Sequence, residues 1–157
     1  VLSQRLAFTP RRRHDIDLII LFADESNAKA IKPLLAYHYA GDIAVIANSN
    51  AFGGTEQTGQ QQDIEGLLFN EMPWIINGKA PSKQDKSLQR LYAMGMDAYL
   101  LHSQLDYLKL SPNNRIAGNT GNLSMKDHRI VRELALAKID NGKVELADRT
   151  ELLSAIK

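Results

Sequence analysis

Two short apolar runs, separated by a segment with helical spacing, constrain the fold of this chain more than any other feature. Residues 16–23 are apolar except for Asp17, and residues 43–47 have the sequence Ile-Ala-Val-Ile-Ala. Continuous runs of this kind are typical of strands that are buried on both faces. Apolar residues recur at helical spacing from Ala28 to His38, and Gly41 supplies a stop. Strand, helix and strand with short connections predict a right-handed βαβ unit in a parallel sheet.

Further short elements are predicted around polar connections. Pro33 lies inside the first helix and predicts a kink there or a division into two pieces. Residues 48–65 have no apolar periodicity and predict a long surface loop. Residues 67–69 predict a short strand that leads into the segment 72–76.

The clearest helix begins near Ser82, after a second polar loop. Its apolar residues follow one stripe, which predicts an amphipathic helix, while Gln89, Arg90 and Asp97 fall elsewhere on its surface. The residues of the stripe are Leu88, Leu91, Tyr92, Gly95, Met96 and Tyr99.

The carboxy-terminal region predicts a hairpin. Residues 129–139 fit either a helix or a strand, but the following Asn141-Gly142 pair is the strongest short signal for a type I′ turn. We therefore expect strands at 129–139 and 143–147. Thr150 is expected to cap a final short helix that runs through Ile156.

Composition excludes several classes of protein. The 157 residues carry 19 Lys and Arg against 18 Asp and Glu, and they include no cysteine. The length predicts one domain or two small ones, and the balanced charge does not support bulk binding to nucleic acid or to an anionic membrane. Disulfide scaffolds, thiolate metal sites and cysteine nucleophiles are excluded. The longest apolar run is far too short to span a membrane. Because the sequence begins with Val1, we expect a processed product or part of a longer protein, with any targeting signal upstream.

The sequence lacks the common patterns that indicate catalysis. The Gly-x-Ser-x-Gly pattern of a hydrolase nucleophile does not occur, and the four histidines have no metal-ligand spacing. The turn from Gly118 to Gly121 lacks the Lys-Ser/Thr continuation that would hold a nucleotide phosphate. We therefore predict no catalytic residue, no metal site and no cofactor.

One general rule still predicts a place for a ligand. In open parallel α/β sheets, ligands gather beyond the carboxyl ends of the strands. After the second strand this place is occupied by Asn48, Ser49 and Asn50, although a loop that merely caps the sheet would look the same. Trp74 follows a proline at an expected sheet edge and is either a stacking platform for a ligand or a buried anchor.

Several stretches together resemble one branch of the type I periplasmic-binding-protein-like superfamily, the LpoA (LppC) family of lipoproteins. Residues 31–37 (Ile-Lys-Pro-Leu-Leu-Ala-Tyr) and 72–74 (Met-Pro-Trp) are specific to that branch. The resemblance continues through 90–99, 118–124 and 132–135, and it spans about Arg11 to Glu145.

The resemblance implies an α/β fold of two lobes, in which parallel sheets are flanked by helices and this chain covers the carboxy-terminal half. Residues 1–66 would belong to one lobe, and residues 67–157 would form the crossover and the closing part of the other. It also implies a non-catalytic protein that binds and activates a class A penicillin-binding protein, with peptidoglycan as a further expected contact. Such a protein lies on the periplasmic face of the outer membrane, held by a lipid anchor outside this chain.

Two other functions are compatible with the same fold. A periplasmic receptor for a small polar solute, such as an amino acid or a peptide, would use Asn48, Ser49, Asn50 and Trp74 as a cleft. A nucleotide- or phosphate-dependent enzyme on a flavodoxin-like sheet rests only on the βαβ unit.

Overall fold

A computed structural model describes residues 15–53, 61–78 and 86–155. The described strands are β1 (Leu18–Leu21), β2 (Ala44–Ala47), β3 (Leu68–Glu71), β4 (Ile116–Ala117), β5 (Asn122–Lys126), β6 (Arg129–Glu133), β7 (Ala135–Asp140) and β8 (Lys143–Leu146). The described α-helices are α1 (Glu25–Tyr37), α2 (Pro73–Ile76), α3 (Lys86–Leu110) and α4 (Arg149–Ala155). Short 3₁₀ turns lie at Ser49–Ala51 and Gln62–Ile64.

The larger sheet has five strands in the order β1-β2-β3-β7-β8. β1, β2 and β3 are parallel, which confirms the predicted βαβ unit, whereas β7 and β8 join antiparallel to their neighbours. The mixed α/β fold with a partly parallel sheet and flanking helices is thus as expected. A smaller antiparallel sheet has the order β4-β5-β6. The larger sheet takes strands from both sides of residue 66. The assignment of residues 1–66 and 67–157 to different lobes stays a prediction.

The core lies on one face of the larger sheet. Val45, Phe69 and Ala137 are each almost fully buried on neighbouring strands, and Ala28 of α1 is fully buried among them. The rings of Phe52 and Phe69 lie 5.0 Å apart between centroids. Because alternate residues of a strand share a face, this one-sided packing fixes the register of the strands.

The predicted hairpin turn is confirmed. Asn141 and Gly142 both have positive φ, 52° and 71°, as a type I′ turn requires. The Glu65 carboxylate accepts the backbone N–H groups of Asn141 at 2.7 Å and Gly142 at 3.1 Å, and so ties the turn to the loop before β3.

The strand predicted at 129–139 is wrong as a single element. It divides at Leu134 into β6, which pairs with β5 in the small sheet, and β7, which pairs with β3 in the large one. A positive φ of 142° lets Gly121 pass close to this junction, where a Cβ would lie only 2.2 Å from the Glu133 carbonyl oxygen. Alternation along the sequence is continuous across the junction and therefore does not reveal it.

Three smaller expectations are corrected. The division of the first helix at Pro33 is wrong, because α1 is continuous. The segment after β2 is not wholly at the surface, because Phe52 and Ile64 are buried core residues. The side chain that caps α4 is that of Asp148, which accepts the Glu151 backbone N–H at 2.9 Å; this bond lowers the pKa of Asp148. The predicted helix start near Ser82 lies outside the described residues, and so does the predicted helix end at Ile156.

The orientation of α3 is the opposite of what its pattern suggests. Amphipathic helices usually bury their apolar stripe, yet Leu91 is 60% exposed and Tyr99 82% exposed. The opposite side of the helix is buried, with Gln89 at 2% exposure and Asp97 at 3%. The reason is that the buried side makes polar contacts with the rest of the chain, described below. Within the described ranges, no helix is both long and apolar enough to cross a membrane.

Candidate functional site at the carboxyl edge of the sheet

The three parallel strands end at a common edge. Leu21, Ala47 and Phe69 lie side by side in the register of β1, β2 and β3, so the segments that follow these strands gather there. Asn48, the first residue after β2, accepts the backbone N–H of Ala23 through Oδ1 at 3.3 Å and donates its own N–H to the Leu21 carbonyl at 3.2 Å. Its polar groups therefore tie the end of β2 to the end of β1.

A buried ion pair joins the same edge to α3. Glu71, at the end of β3, is 1% exposed, and both of its carboxylate oxygens face Arg90. Arg90 Nη2 donates to Glu71 Oε2 at 2.5 Å and to the Ser49 carbonyl oxygen at 3.0 Å. Glu71 Oε1 also accepts the Met72 backbone N–H at 2.8 Å. One guanidinium thus connects β3, the turn after β2 and α3, and these bonds satisfy a carboxylate that would be costly to bury alone.

Trp74 lies on the short helix α2, which follows β3 in the chain. Its ring packs against Tyr92 of α3, with centroids 5.8 Å apart, and its backbone N–H donates to the Asn119 carbonyl at 3.0 Å. The indole Nε1 is enclosed and has no hydrogen-bond partner among the described residues. Both predicted roles of Trp74, as a stacking platform or as a buried anchor, stay predictions.

A second buried carboxylate holds α3 to the glycine-containing turn. Asp97 Oδ1 accepts the backbone and side-chain N–H groups of Asn119 at 2.7 and 3.0 Å. Asp97 Oδ2 accepts the backbone N–H of Thr120 at 2.8 Å and its hydroxyl at 2.6 Å. A Cβ at Gly118 would lie 2.6 Å from Asp97 Oδ2, which explains the glycine.

The contact with Asp97 affects whether this turn could bind a phosphate. Successive backbone N–H groups in a turn can bind an anion, but here the anion is the chain's own Asp97 carboxylate. The N–H groups of Asn119 and Thr120 are occupied. The turn therefore offers no free cradle for a nucleotide phosphate.

The predicted binding residues are only partly brought together. Asn48 and Ser49 lie at the edge with Glu71 and Arg90, Asn50 is exposed beside them, and Trp74 is linked to them through α3. No finding tests a ligand-binding role for these four residues, and that role stays a prediction.

Sequence reasoning missed Glu71 and Arg90, which organise the edge, and Asp97, which holds α3 to the turn. A signal existed: Gln89, Ala93 and Asp97 recur every four residues and so share one face of a helix. A polar face with one small residue at its centre is compatible with close polar packing. The apolar stripe on the other side of the helix is the stronger signal, and it predicts that the other side is buried.

The described residues contain no group of three or more His, Asp or Glu side chains that could hold a metal ion. His38, His102 and His128 are exposed and lie on separate elements, and His14 lies outside the described residues.

The fold and this edge define a class of protein. A partly parallel sheet with flanking helices places the chain among periplasmic-binding-protein-like α/β domains. A solved structure titled "putative branched-chain amino acid ABC transporter", from Chromobacterium violaceum, matches 78% of this chain and 42% of its own, with a TM-score of 0.59 and 27% identity.

Within that class, the family is established by sequence. A family model described as "LppC putative lipoprotein" matches residues 1–142. The penicillin-binding protein activator LpoA of Vibrio cholerae is 32% identical over 152 residues. The chain belongs to the LppC family, as the resemblance of residues 31–37 and 72–74 predicted.

The fold comparison agrees with this assignment. The C-domain of LpoA (YraM) from Haemophilus influenzae, titled a regulator of PBP1A, superposes with a TM-score of 0.72 at 24% identity. The match covers 87% of this chain but 46% of that domain. Likewise, the match to the Vibrio cholerae relative covers 88% of this chain and 24% of the relative. The chain thus spans about a quarter of the length of its curated relatives.

Proposed function

We propose that this chain is part of a non-catalytic regulator of peptidoglycan synthesis that binds and activates a class A penicillin-binding protein. The observation that carries the proposal is membership of the LppC family, together with relatives that are named penicillin-binding protein activators. The same relationship supports a place on the periplasmic face of the outer membrane, through a lipid anchor outside this chain. Contact with peptidoglycan itself is a further part of the proposal.

The geometry of the carboxyl edge supports a binding module over an enzyme. The polar groups gathered there are used to hold elements together: Asn48 bonds to the end of β1, and Arg90 bonds to Glu71 and to the Ser49 carbonyl. Side chains that satisfy one another in this way stiffen a scaffold and leave few groups free for proton transfer or nucleophilic attack. A stiff scaffold suits a protein that acts by docking.

The direct test is binding to a purified class A penicillin-binding protein that is immobilised on a sensor surface. We expect saturable binding of this chain. The Haemophilus influenzae LpoA C-domain with PBP1A of that organism is the positive control, and the Chromobacterium violaceum protein of similar fold is the negative one. Binding no stronger than that of the negative control would refute the proposal.

A receptor for a small solute is the second candidate. The likeness to the Chromobacterium violaceum transporter protein favours it, and so does the exposed side chain of Asn50 at the edge. A ligand at 100 times its dissociation constant stabilises a protein by about 2.7 kcal/mol. Thermal-shift screening with amino acids and muropeptides therefore separates the two candidates: a clear shift would favour the receptor, and a flat response is expected for the activator.

A further inference from the structure

Two hairpins of this chain have the same turn geometry, which makes them directly comparable. Asp127 and His128 join β5 to β6, and Asn141 and Gly142 join β7 to β8. All four residues have positive φ, at 49° and 60° in the first turn and at 52° and 71° in the second. Two positive φ values in a two-residue connection are typical of a type I′ turn. The residues that flank the two turns, however, differ in charge.

The β7–β8 hairpin follows the rules for a stable hairpin. Asp140 and Lys143 lie directly opposite each other next to its turn, and opposite charges in such a cross-strand pair are stabilising. Gly142 adopts its positive φ without steric cost. Charge pairing and turn chemistry therefore both agree with the local structure in this hairpin.

The β5–β6 hairpin departs from both rules. Lys126 and Arg129 lie directly opposite each other next to its turn, and like charges in this arrangement are destabilising. His128 adopts a φ of 60°, which is uncommon for a residue other than glycine. Asp127 lies between the two cations in the chain, but within the described ranges neither Lys126 nor Arg129 forms an ion pair with it or with another residue. Departures from local stability without a compensating contact are expected at functional sites.

The two cations lie on the face of the hairpin that is turned away from α3. Alternate residues of a strand share a face, so the register places Lys126 and Arg129 on the same face as Ser124 and Val131. The opposite face carries the buried Leu123 and lines a groove with α3. Lys126, Arg129 and Val131 are all exposed. We call the four residues Ser124, Lys126, Arg129 and Val131 the outward face of the hairpin.

The outward face of the hairpin fits a carboxylate. The Cβ atoms of directly opposite residues lie about 4.5–5.5 Å apart, so one carboxylate between Lys126 and Arg129 can accept hydrogen bonds from both side chains. Charge-assisted hydrogen bonds of this kind are stronger than neutral ones, and the anion would cancel the repulsion between the two cations. Val131 adds an apolar contact, and Ser124 adds a hydroxyl group. The four residues include no aromatic ring on which a sugar could stack, so the face suits a polypeptide better than a glycan strand.

We infer that the outward face of the hairpin is a docking surface for an acidic segment of the penicillin-binding protein, in which one Asp or Glu side chain binds between Lys126 and Arg129. Charge complementarity is the argument for this occupant. The chain as a whole is almost neutral, with 19 Lys and Arg against 18 Asp and Glu, yet two cations are placed opposite each other at an exposed position. The inference rests on the proposed function and names a contact within it.

The test measures binding of the full-length protein that carries this chain to an immobilised class A penicillin-binding protein. The double variant Lys126→Gln/Arg129→Gln should lower the affinity about tenfold or more, because both charge-assisted hydrogen bonds to the carboxylate are lost. The same variant should not lower the melting temperature, because it removes a like-charge pair. Weaker binding by a protein that is no less stable cannot be attributed to misfolding. The matched control is Lys143→Gln, which removes an exposed cation beside the other turn and should leave the affinity unchanged.

The outcomes separate this inference from the proposed function. If the unaltered protein does not bind the penicillin-binding protein, the proposed function fails and this inference fails with it. If the unaltered protein binds and the double variant binds equally well, or if Lys143→Gln causes the same loss, the inference alone is wrong. It is also wrong if the double variant keeps its affinity for the penicillin-binding protein but no longer co-sediments with isolated peptidoglycan, because the carboxylate would then belong to the peptidoglycan. A loss of affinity that becomes smaller as the salt concentration is raised would support the inference, since salt screens exposed charges.

Discussion

At the scale of single residues, Asp97 shows how a buried charge can replace apolar packing. Its carboxylate accepts four hydrogen bonds at 2.6 to 3.0 Å from two residues of one turn. Hydrogen bonds to a charged group contribute more than neutral ones, and a buried carboxylate without them is strongly unfavourable. The turn and the helix therefore hold each other in place.

We predict that Asp97→Asn lowers the free energy of unfolding by about 2–3 kcal/mol. An amide has one oxygen that accepts hydrogen bonds. Its NH₂ group would face two of the N–H and O–H groups that now donate to Asp97, and those two hydrogen bonds would be lost. Urea denaturation followed by circular dichroism measures the change.

Asp106→Asn on the same helix is the matched control. Its side chain is 97% exposed and pairs with the exposed Lys109, so a change within about 0.5 kcal/mol is expected. Equal effects of the two substitutions would show that the bonds to the turn contribute little.

At the scale of elements, α1 keeps a proline that its pattern suggested would break it. Pro33 lies in the interior of a continuous helix of 13 residues and is exposed. Proline removes one backbone hydrogen bond, but tertiary packing by Ala28 and the Asp24 cap, whose Oδ1 accepts the Asn27 N–H at 2.8 Å, support the helix around it.

Pro33→Ala should stabilise the chain by about 1–3 kcal/mol, since it restores an N–H donor to the helix and relieves the contact of the ring with the preceding turn. The control is Ala30→Gly, at another exposed position of α1, which should destabilise the chain by about 1 kcal/mol. This loss would show that α1 unfolds together with the rest of the chain. The measurement is equilibrium unfolding in urea. An unchanged or lower stability of the Pro33→Ala variant would contradict the prediction.

The elements also show what the sequence could and could not predict. The βαβ unit and the Asn141-Gly142 turn were predictable, because local spacing and φ requirements determine them. The division of 129–139 at Leu134 was not, since it depends on which strands are available to pair. The orientation of α3 was not predictable either: periodicity identifies two faces of a helix, but the partners of Arg90 and Asp97 decide which face is buried.

At the scale of the whole molecule, the sequence predicted which loop residues lie at the carboxyl edge, but not the ion pair that organises this edge. Asn48 and Ser49 do lie at the carboxyl edge, because parallel strands end there together. Glu71 and Arg90, which organise that edge, are 19 residues apart in sequence and meet only in the folded chain. Long-range ion pairs of this kind leave no mark in local sequence patterns.

The molecule as a whole combines a known fold with a family assignment. It has the periplasmic-binding-protein-like α/β fold, it belongs to the LppC family, and polar pairs brace its carboxyl edge. Under the proposed function, its action depends on contact between surfaces and not on bond-making chemistry.

The most direct test of this account measures peptidoglycan cross-linking by a purified class A penicillin-binding protein supplied with lipid-linked precursor. The protein that carries this chain is added at full length, and the Chromobacterium violaceum protein of similar fold is added in a parallel reaction. We predict that cross-linking becomes faster with the first and is unchanged with the second. A cross-linking rate that stays the same in both reactions, while the Haemophilus influenzae LpoA and PBP1A control pair responds, would contradict the central claim.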